Sequence, residues 1–240
     1  MAPVVQCMSL TKTYGRKIAL NQVYLNLERG RIIGLLGPNG SGKTTLIKIM
    51  NGLLKPTAGE VLINGQRPGV DTKLRISYLP ERTYLQPGMK VIELVQYFQD
   101  FYPDFRVDRA YDMLARLQIP PQERLKNLSK GTKEKVQLIL VMSRRAKLYL
   151  LDEPIAGVDP AAREYILTTI VNNYNPEGTV LISTHLIADV ERVLDEILFI
   201  RDGRVVRQEL VDDVREREGK SVDELFREVF RTVPFEGGVW

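Results

Sequence analysis

Residues 37–45 read GPNGSGKTT and satisfy the spacing G-x-x-x-x-G-K-[ST] in full. Gly37, Gly40 and Gly42 free the backbone to curl. N–H groups along Gly37-Pro38-Asn39-Gly40-Ser41-Gly42 can then turn inward at phosphate oxygens. A helix opening at this point adds its positive N-terminal end. Lys43 can reach β- and γ-phosphates, the Thr44 hydroxyl can ligate Mg2+, and Thr45 completes the set. The chemistry is capture of a nucleoside triphosphate. The plainer alternative is a glycine loop that merely turns a strand into a helix, and the full spacing between an expected strand and an expected helix argues against it.

Three further stretches bear on that chemistry. LYLLDE (148–153) ends in Asp152 and Glu153. An acidic residue closing a buried strand next to the phosphate-loop strand can hold Mg2+ through water, which suits Asp152. Glu153 is then a candidate to orient or deprotonate a water, although a polar pair ending a strand also accounts for both. TVLIST (179–184) is followed by His185, the only histidine. LSKGTKEK (128–135) is a polar loop opening into a helix near Thr132. Ser129, the Gly131 backbone and that helix end make a second anion-binding surface, which an ordinary N-cap explains only for Ser129. The N-K-x-D sequence expected of a guanine reader is absent.

The elements that must position these residues follow from periodicity. Residues 4–30 read as short strands, with apolar alternation at Leu20, Val23, Leu25 and Leu27 before Gly30. RIIGLL (31–36) reads as a buried strand feeding the glycine loop, and KTTLIKIMNG as a helix closed by Gly52. GEVLINGQ (59–66) is a strand ending in an Asn-Gly turn. From about 88 to 145 the helical period dominates, as in Val91, Leu94, Val95 and Phe98, and this stretch reads as an inserted helical subdomain bounded by Pro87. KLYLLDE and TVLIST are continuous apolar runs, as central parallel strands require. Between them Asp159-Pro160 opens a helix. ILFIRDGRVV (197–206) is a hairpin turning on Asp202-Gly203. In SVDELFREVF, Val222, Leu225, Phe226, Val229 and Phe230 share one helical face, which suits core packing first and a partner contact second.

Composition narrows the classes. The chain has 240 residues, enough for one large α/β domain or one with an inserted subdomain. No apolar run approaches the roughly 18–20 residues needed to span a bilayer, and the first residues lack the layout of a secretory signal. Cys7 is the only cysteine, which excludes an internal disulfide and fits a reducing cytoplasm. The net charge of +4 is spread along the chain without clustered Lys/Arg and interleaved aromatics, so no nucleic-acid partner is expected.

Taken in order along nearly the full length, these motifs resemble the ATP-binding subunits of ABC transporters. An aromatic precedes the phosphate loop. The helical insert carries the signature LSKGT, then come LLDEP and a histidine after the next strand. KEKVQL and DEPIAGVDP are similar to subunits that serve separate, often exporter-type, membrane proteins. The resemblance implies an α/β fold: a P-loop NTPase core with a mostly parallel central sheet, an N-terminal antiparallel β subdomain and an inserted α-helical subdomain. It implies one ATP-binding domain over 1–240, with core and β subdomain at about 1–87 and 146–206, helices at about 88–145 and a C-terminal extension at about 207–240.

The resemblance also implies roles. Tyr14 stacks on adenine, and Thr44, Asp152 and Glu81 face Mg2+. Glu153 and His185 act at the γ-phosphate, and Asp159 contacts a neighbouring subunit. LSKGT sits away from its own phosphate loop and grips the γ-phosphate held by a second subunit, so that two ATPs lie sandwiched in a head-to-tail dimer. This sequence departs from the family's commoner form at Lys130 (usually glycine), Thr132 (usually glutamine) and Glu81 (usually glutamine). The implied function is ATP-driven transport, more in the manner of export, through a separate transmembrane permease. The partner is a second ATP-binding subunit, as a homodimer or a heterodimer, and the assembly sits peripherally on the cytoplasmic face of the membrane. The alternative is a soluble ATPase of the same type acting on a cytoplasmic assembly. A simple nucleotide kinase leaves LSKGT and His185 unexplained.

Overall fold

The computed structural model describes residues 3–231; residues 1–2 and 232–240, the latter part of the expected C-terminal extension, lie outside the described residues. Two strands open the chain, β1 (Val5–Tyr14) and β2 (Lys17–Leu27). They are longer than the short strands expected. Ser9 and Gln22 have φ of 51° and 49° and lie at register shifts of the β1–β2 ladder. Each shift inserts one residue and resets the alternation, so the apolar pattern breaks while the strand continues. β4 (Ala58–Ile63) pairs antiparallel with β1 and completes a three-stranded layer in the order β2-β1-β4.

Between them lie β3 (Ile32–Leu36) and α1 (Lys43–Met50). Gly52, at φ 65°, lies just past the Asn51 cap. The Gly52 N–H donates to the Ile49 carbonyl and the Leu53 N–H to that of Lys48, which satisfies the last carbonyls of α1.

After β4 come the short α2 (Val70–Lys73) and β5 (Ile76–Leu79), then the insert: α3 (Val91–Phe101), α4 (Val107–Arg116) and α5 (Lys130–Met142). The chain returns through β6 (Leu148–Asp152), α6 (Pro160–Asn173), β7 (Thr179–Thr184), α7 (Ile187–Val190) and β8 (Glu196–Arg201). It ends with β9 (Arg204–Leu210), α8 (Val211–Glu218) and α9 (Val222–Val229).

The central sheet runs β5-β6-β7-β3-β8-β9, parallel except for β9. Its continuous apolar strands are covered on both faces, as a parallel sheet demands. Ile33, Leu35, Leu150 and Leu198 pack toward α1 and the antiparallel layer, while Leu36, Leu151, Ile182 and Phe199 pack into the larger core shared with the insert and the C-terminal helices. Phe226 and Phe230 on the α9 side stack at 4.2 Å and meet Phe199 at 5.4 and 5.8 Å, so the tail helix is a core element.

One buried cation joins insert and core. Arg144, 1% exposed, follows α5. Its Nε pairs with Asp104 Oδ1 at 2.9 Å, between α3 and α4. Its Nη1 and Nη2 donate to the carbonyls of Ile76 and Leu74, beside β5, and its guanidinium lies 3.8 Å from the centre of the Tyr102 ring.

Candidate functional site

β3 delivers the chain to Gly37, where a side chain has no room: a Cβ there would lie 2.4 Å from the Ile200 carbonyl and 2.8 Å from Ser41 Oγ. Gly42, at φ 112°, closes the loop and hands over to α1, whose N-terminus points back at the loop. The loop is braced from behind, since the Gly203 N–H at the β8–β9 turn donates to the Ser41 carbonyl at 3.0 Å. Lys43 is 5% exposed, and its Nζ donates to the carbonyls of Gly37 at 2.7 Å and Pro38 at 3.3 Å.

The sequence reading sets the Asp152 strand beside the phosphate-loop strand, and the structure corrects it. β7 lies between β3 and β6. Strand order in a parallel sheet is set by the crossover helices, and α6 carries the chain from β6 to a β7 that pairs with both neighbours. Thr44 still reaches the acid: its Oγ1 donates to Asp152 Oδ1 at 3.1 Å. Ser183 on the intervening strand donates to the same oxygen at 2.7 Å. Asp152 Oδ2 is buried with no partner. Burial pushes the Asp152 carboxyl above its ordinary value; the Ser183 and Thr44 hydrogen bonds oppose that rise, and the negative charges of Glu153 and Glu81 add to it.

Glu153 turns the corner after β6 at φ 50°, a left-handed conformation that non-glycine residues seldom adopt. The turn brings its carboxylate to 3.4 Å from Lys43 Nζ and 3.1 Å from His185 Nδ1. His185, just past β7, is exposed.

These groups surround one cavity of about 420 Å3. Asn39, Gly40, Gly42, Lys43, Thr44 and Thr45 line its floor. Glu81, Glu153 and His185 line it too, and Tyr14 with Lys17 belongs to its wall. Tyr14 is half exposed, with Lys12 Nζ 5.2 Å from its ring centre.

A model of the family described as ABC transporter matches residues 20–156. The chain belongs to the ABC transporter family. The cassette is 30% identical to the SkfA peptide export ATP-binding protein SkfE of Bacillus subtilis (strain 168), over 89% of this chain and 92% of that one. A solved ATP-binding subunit of an ABC transporter superposes with a TM-score of 0.83 at 30% identity, covering 94% of this cassette and 99% of that chain. The ATP-binding cassette MJ0796, solved as a dimer in a post-hydrolysis state bound to ADP and Pi, superposes with a TM-score of 0.75 at 27% identity, over 86% and 98% of the two chains. The cassette is accordingly an ATP-binding protein and an ATPase.

Of the expected site residues, Gly37, Pro38, Ser41 and Asp152 lie behind the cavity lining, and Ser129, Gly131 and Asp159 stand apart from it. Asp159 caps α6, its Oδ1 accepting from the Ala162 N–H at 3.1 Å. Ser129 caps α5, its Oγ accepting from the Thr132 N–H at 3.2 Å, so α5 begins at Lys130 and not near Thr132. Gly131 therefore lies in the first turn, where helix geometry leaves N–H groups without an intrahelical acceptor. Nothing stands within 4 Å of a Cβ built on Gly131. A second cavity, of about 530 Å3, is lined by Lys130 and Lys133 of α5 together with Glu81 and Glu153. Sequence reasoning missed Ser183 and Lys17. Ser183 sits one residue before the end of β7 and two before His185, and nothing in the local pattern separates its hydroxyl from those of Thr179 and Thr184 on the same strand.

Proposed function

We propose that this ATPase pairs head to tail with a second ATP-binding subunit, most simply another copy of itself, and drives a separate transmembrane permease, in the direction of export. The observation that carries the pairing is the split of the expected site. Lys43, Thr44, Glu153 and His185 converge on one cavity, while Ser129 and Gly131 offer an uncovered helix N-terminus elsewhere on the chain. In the proposed pair that N-terminus meets the γ-phosphate held by the neighbour, and Asp159 faces the same boundary. The proposed division of labour follows the chain, with residues about 1–87 and 146–206 holding nucleotide and the insert at about 88–145 serving the neighbour.

Within one site Tyr14 is proposed to stack on adenine, and the loop and Lys43 to hold the phosphates. Glu153 takes the proton of the attacking water, and His185, hydrogen-bonded to Glu153, contacts the γ-phosphate. The residues suit Mg2+. Asp152 has a buried oxygen without a partner, Thr44 brings a hydroxyl beside it, and Glu81 faces the cavity, an all-oxygen set that a hard cation prefers. When bound, Mg2+ would neutralise phosphate charge.

Among the described residues no helix is long and apolar enough to cross a membrane. One observation supports the permease reading. A groove of about 480 Å3 lined by Tyr78, Tyr84, Phe98 and Tyr102 runs between core and insert, with exposed Tyr97 and Phe101 on α3. Exposed aromatics so grouped suit a protein contact, and a permease there would hold the cassette peripherally on the inner membrane face. The export direction is supported by the similarity to SkfE. The test is Glu153→Gln. Loss of a positioned base lowers turnover about 10²- to 10⁴-fold, and the variant should collect as an ATP-bound dimer in size-exclusion chromatography. Near-normal steady-state hydrolysis, or a monomer at saturating ATP, overturns the reading.

A further inference from the structure

Ser183 touches two of the site's acidic residues, Asp152 and Glu153, at once. Its side chain is fully buried at the end of β7, opposite Asp152 in the β6–β7 ladder. The Ser183 hydroxyl donates to Asp152 Oδ1 at 2.7 Å, and its oxygen accepts from the Glu153 N–H at 3.1 Å. The Ser183 carbonyl accepts from the same N–H at 3.0 Å. A hydroxyl has one proton, so these partners fix its direction: it points at Asp152, and its lone pairs face Glu153.

Two hydroxyls share Asp152 Oδ1, and they differ in what holds them. Thr44 sits in the loop that receives the phosphates, at 3.1 Å, and is itself a proposed metal ligand. Ser183 belongs to a central strand away from the cavity lining, at the shorter distance. If Thr44 turns toward the ligand, Ser183 remains on Oδ1 and keeps Oδ2 as the free oxygen. On the other side its oxygen and carbonyl hold the backbone of Glu153 in the left-handed conformation that aims its carboxylate at Lys43 and His185.

We infer that Ser183 is a positioning residue: its hydroxyl orients the Asp152 carboxylate for the metal of the bound nucleotide and steadies the turn that presents Glu153. This rests on the reading of Asp152 as the metal-side acid. The experiment compares the affinity of a non-hydrolysable ATP analogue with Mg2+ and with excess chelator, by calorimetry, in the wild type and in Ser183→Ala, Ser183→Thr and Asp152→Asn.

A hydrogen bond to a charged group is worth roughly tenfold or more. Ser183→Ala should therefore lose roughly tenfold of the Mg2+-dependent gain in affinity, bind as the wild type does without metal, and require more Mg2+ for half-maximal hydrolysis. Ser183→Thr, which keeps the hydroxyl, should restore the gain. Should Ser183→Ala fail to fold, Ser183→Cys, similar in shape with a weak donor, takes its place. Asp152→Asn should abolish the gain. If it does and the Ser183 variants behave as wild type, or weaken binding equally with and without metal, the role of Ser183 is overturned while the site stands. If Asp152→Asn keeps the gain, the metal reading falls and this inference with it.

Discussion

Lys43 Nζ lies 3.4 Å from Glu153 Oε1, so the cation of the phosphate loop is paired with the carboxylate proposed to activate water. Both side chains are largely buried, at 6% and 10% exposure, and solvent does little to screen them. Phosphates entering the cavity compete with Glu153 for the same charge. Binding of the substrate would therefore free the proposed base and tie activation of water to the presence of ATP.

Two substitutions follow from that pairing. Lys43→Ala removes a charge-assisted contact to the phosphates and should weaken ATP binding at least tenfold. Glu153→Gln removes the competitor and should tighten it, by about fivefold if the lost pair is worth on the order of 1 kcal/mol. Calorimetry measures both, and unchanged affinity in Lys43→Ala would count against the loop assignment.

If Ser129 and Gly131 act on the neighbour's nucleotide, lesions in the two half-sites should complement. Gly131→Asp places a negative charge where the γ-phosphate would dock, and the open space over Gly131 lets the fold accept it. Neither Gly131→Asp nor Lys43→Ala alone should hydrolyse ATP. Mixed, they put both lesions in one site and leave the other whole, so activity should return to roughly a quarter of wild type with random exchange and independent sites. Demonstrated mixed dimers without recovery would argue against independent composite sites. Full activity of Gly131→Asp alone would end the proposal that LSKGT acts across the interface.

Cys7, 2% exposed on β1, has its thiol pushed up by burial to about 12 from 9.0. The folded state keeps the thiol protonated at a pH where the unfolded chain has ionised it. Unfolding then releases a proton, and stability contributed by the thiol falls as pH rises from about 9 toward 12. The slope approaches about 1.4 kcal/mol per pH unit. Urea denaturation of the wild type and Cys7→Ala between pH 8 and 11 tests this. The stability difference between them should shrink as pH rises, and a constant difference refutes it.

Arg144→Met should destabilise the fold by about 3 kcal/mol, because the buried Ile76 carbonyl and the part-buried Leu74 carbonyl and Asp104 carboxylate all lose their donor. Asp104→Ala leaves the guanidinium its Leu74 and Ile76 carbonyls and the Tyr102 ring but no counter-charge, and should cost less. Denaturant midpoints equal to that of the wild type in both variants would show that the joint contributes nothing.

Much of the site can be read from local pattern, because its chemistry is contiguous. GPNGSGKTT, LYLLDE and TVLIST-His185 each carry their own strand or turn signal, and the cavity gathers residues from all three. What stayed hidden is relational. Three continuous apolar strands look alike in sequence, so nothing local says that β7 separates β3 from β6. β5 has four residues, with Ser77 and Tyr78 at its centre, too few for a period to show. The bulges at Ser9 and Gln22 disguise long strands as short ones. Ser183 reads as one more strand residue until its two acidic partners are placed beside it.

α5 starts at the Ser129 cap and β6 ends at Asp152, with Arg144 between them. The helix is about 20 Å long and the strand about 16 Å. One continuous stretch of chain thus links the surface proposed to meet a neighbour's nucleotide to the carboxylates of the chain's own, doubling back at residues 143–147 so that both of its ends border the second cavity, with an ionic bearing near its middle. In a two-fold pair there would be two such doubled-back segments, related by the two-fold axis. News of hydrolysis on one side would then have a covalent route to the other, and the stiffness of residues 143–147 would set how faithfully the two strokes keep time.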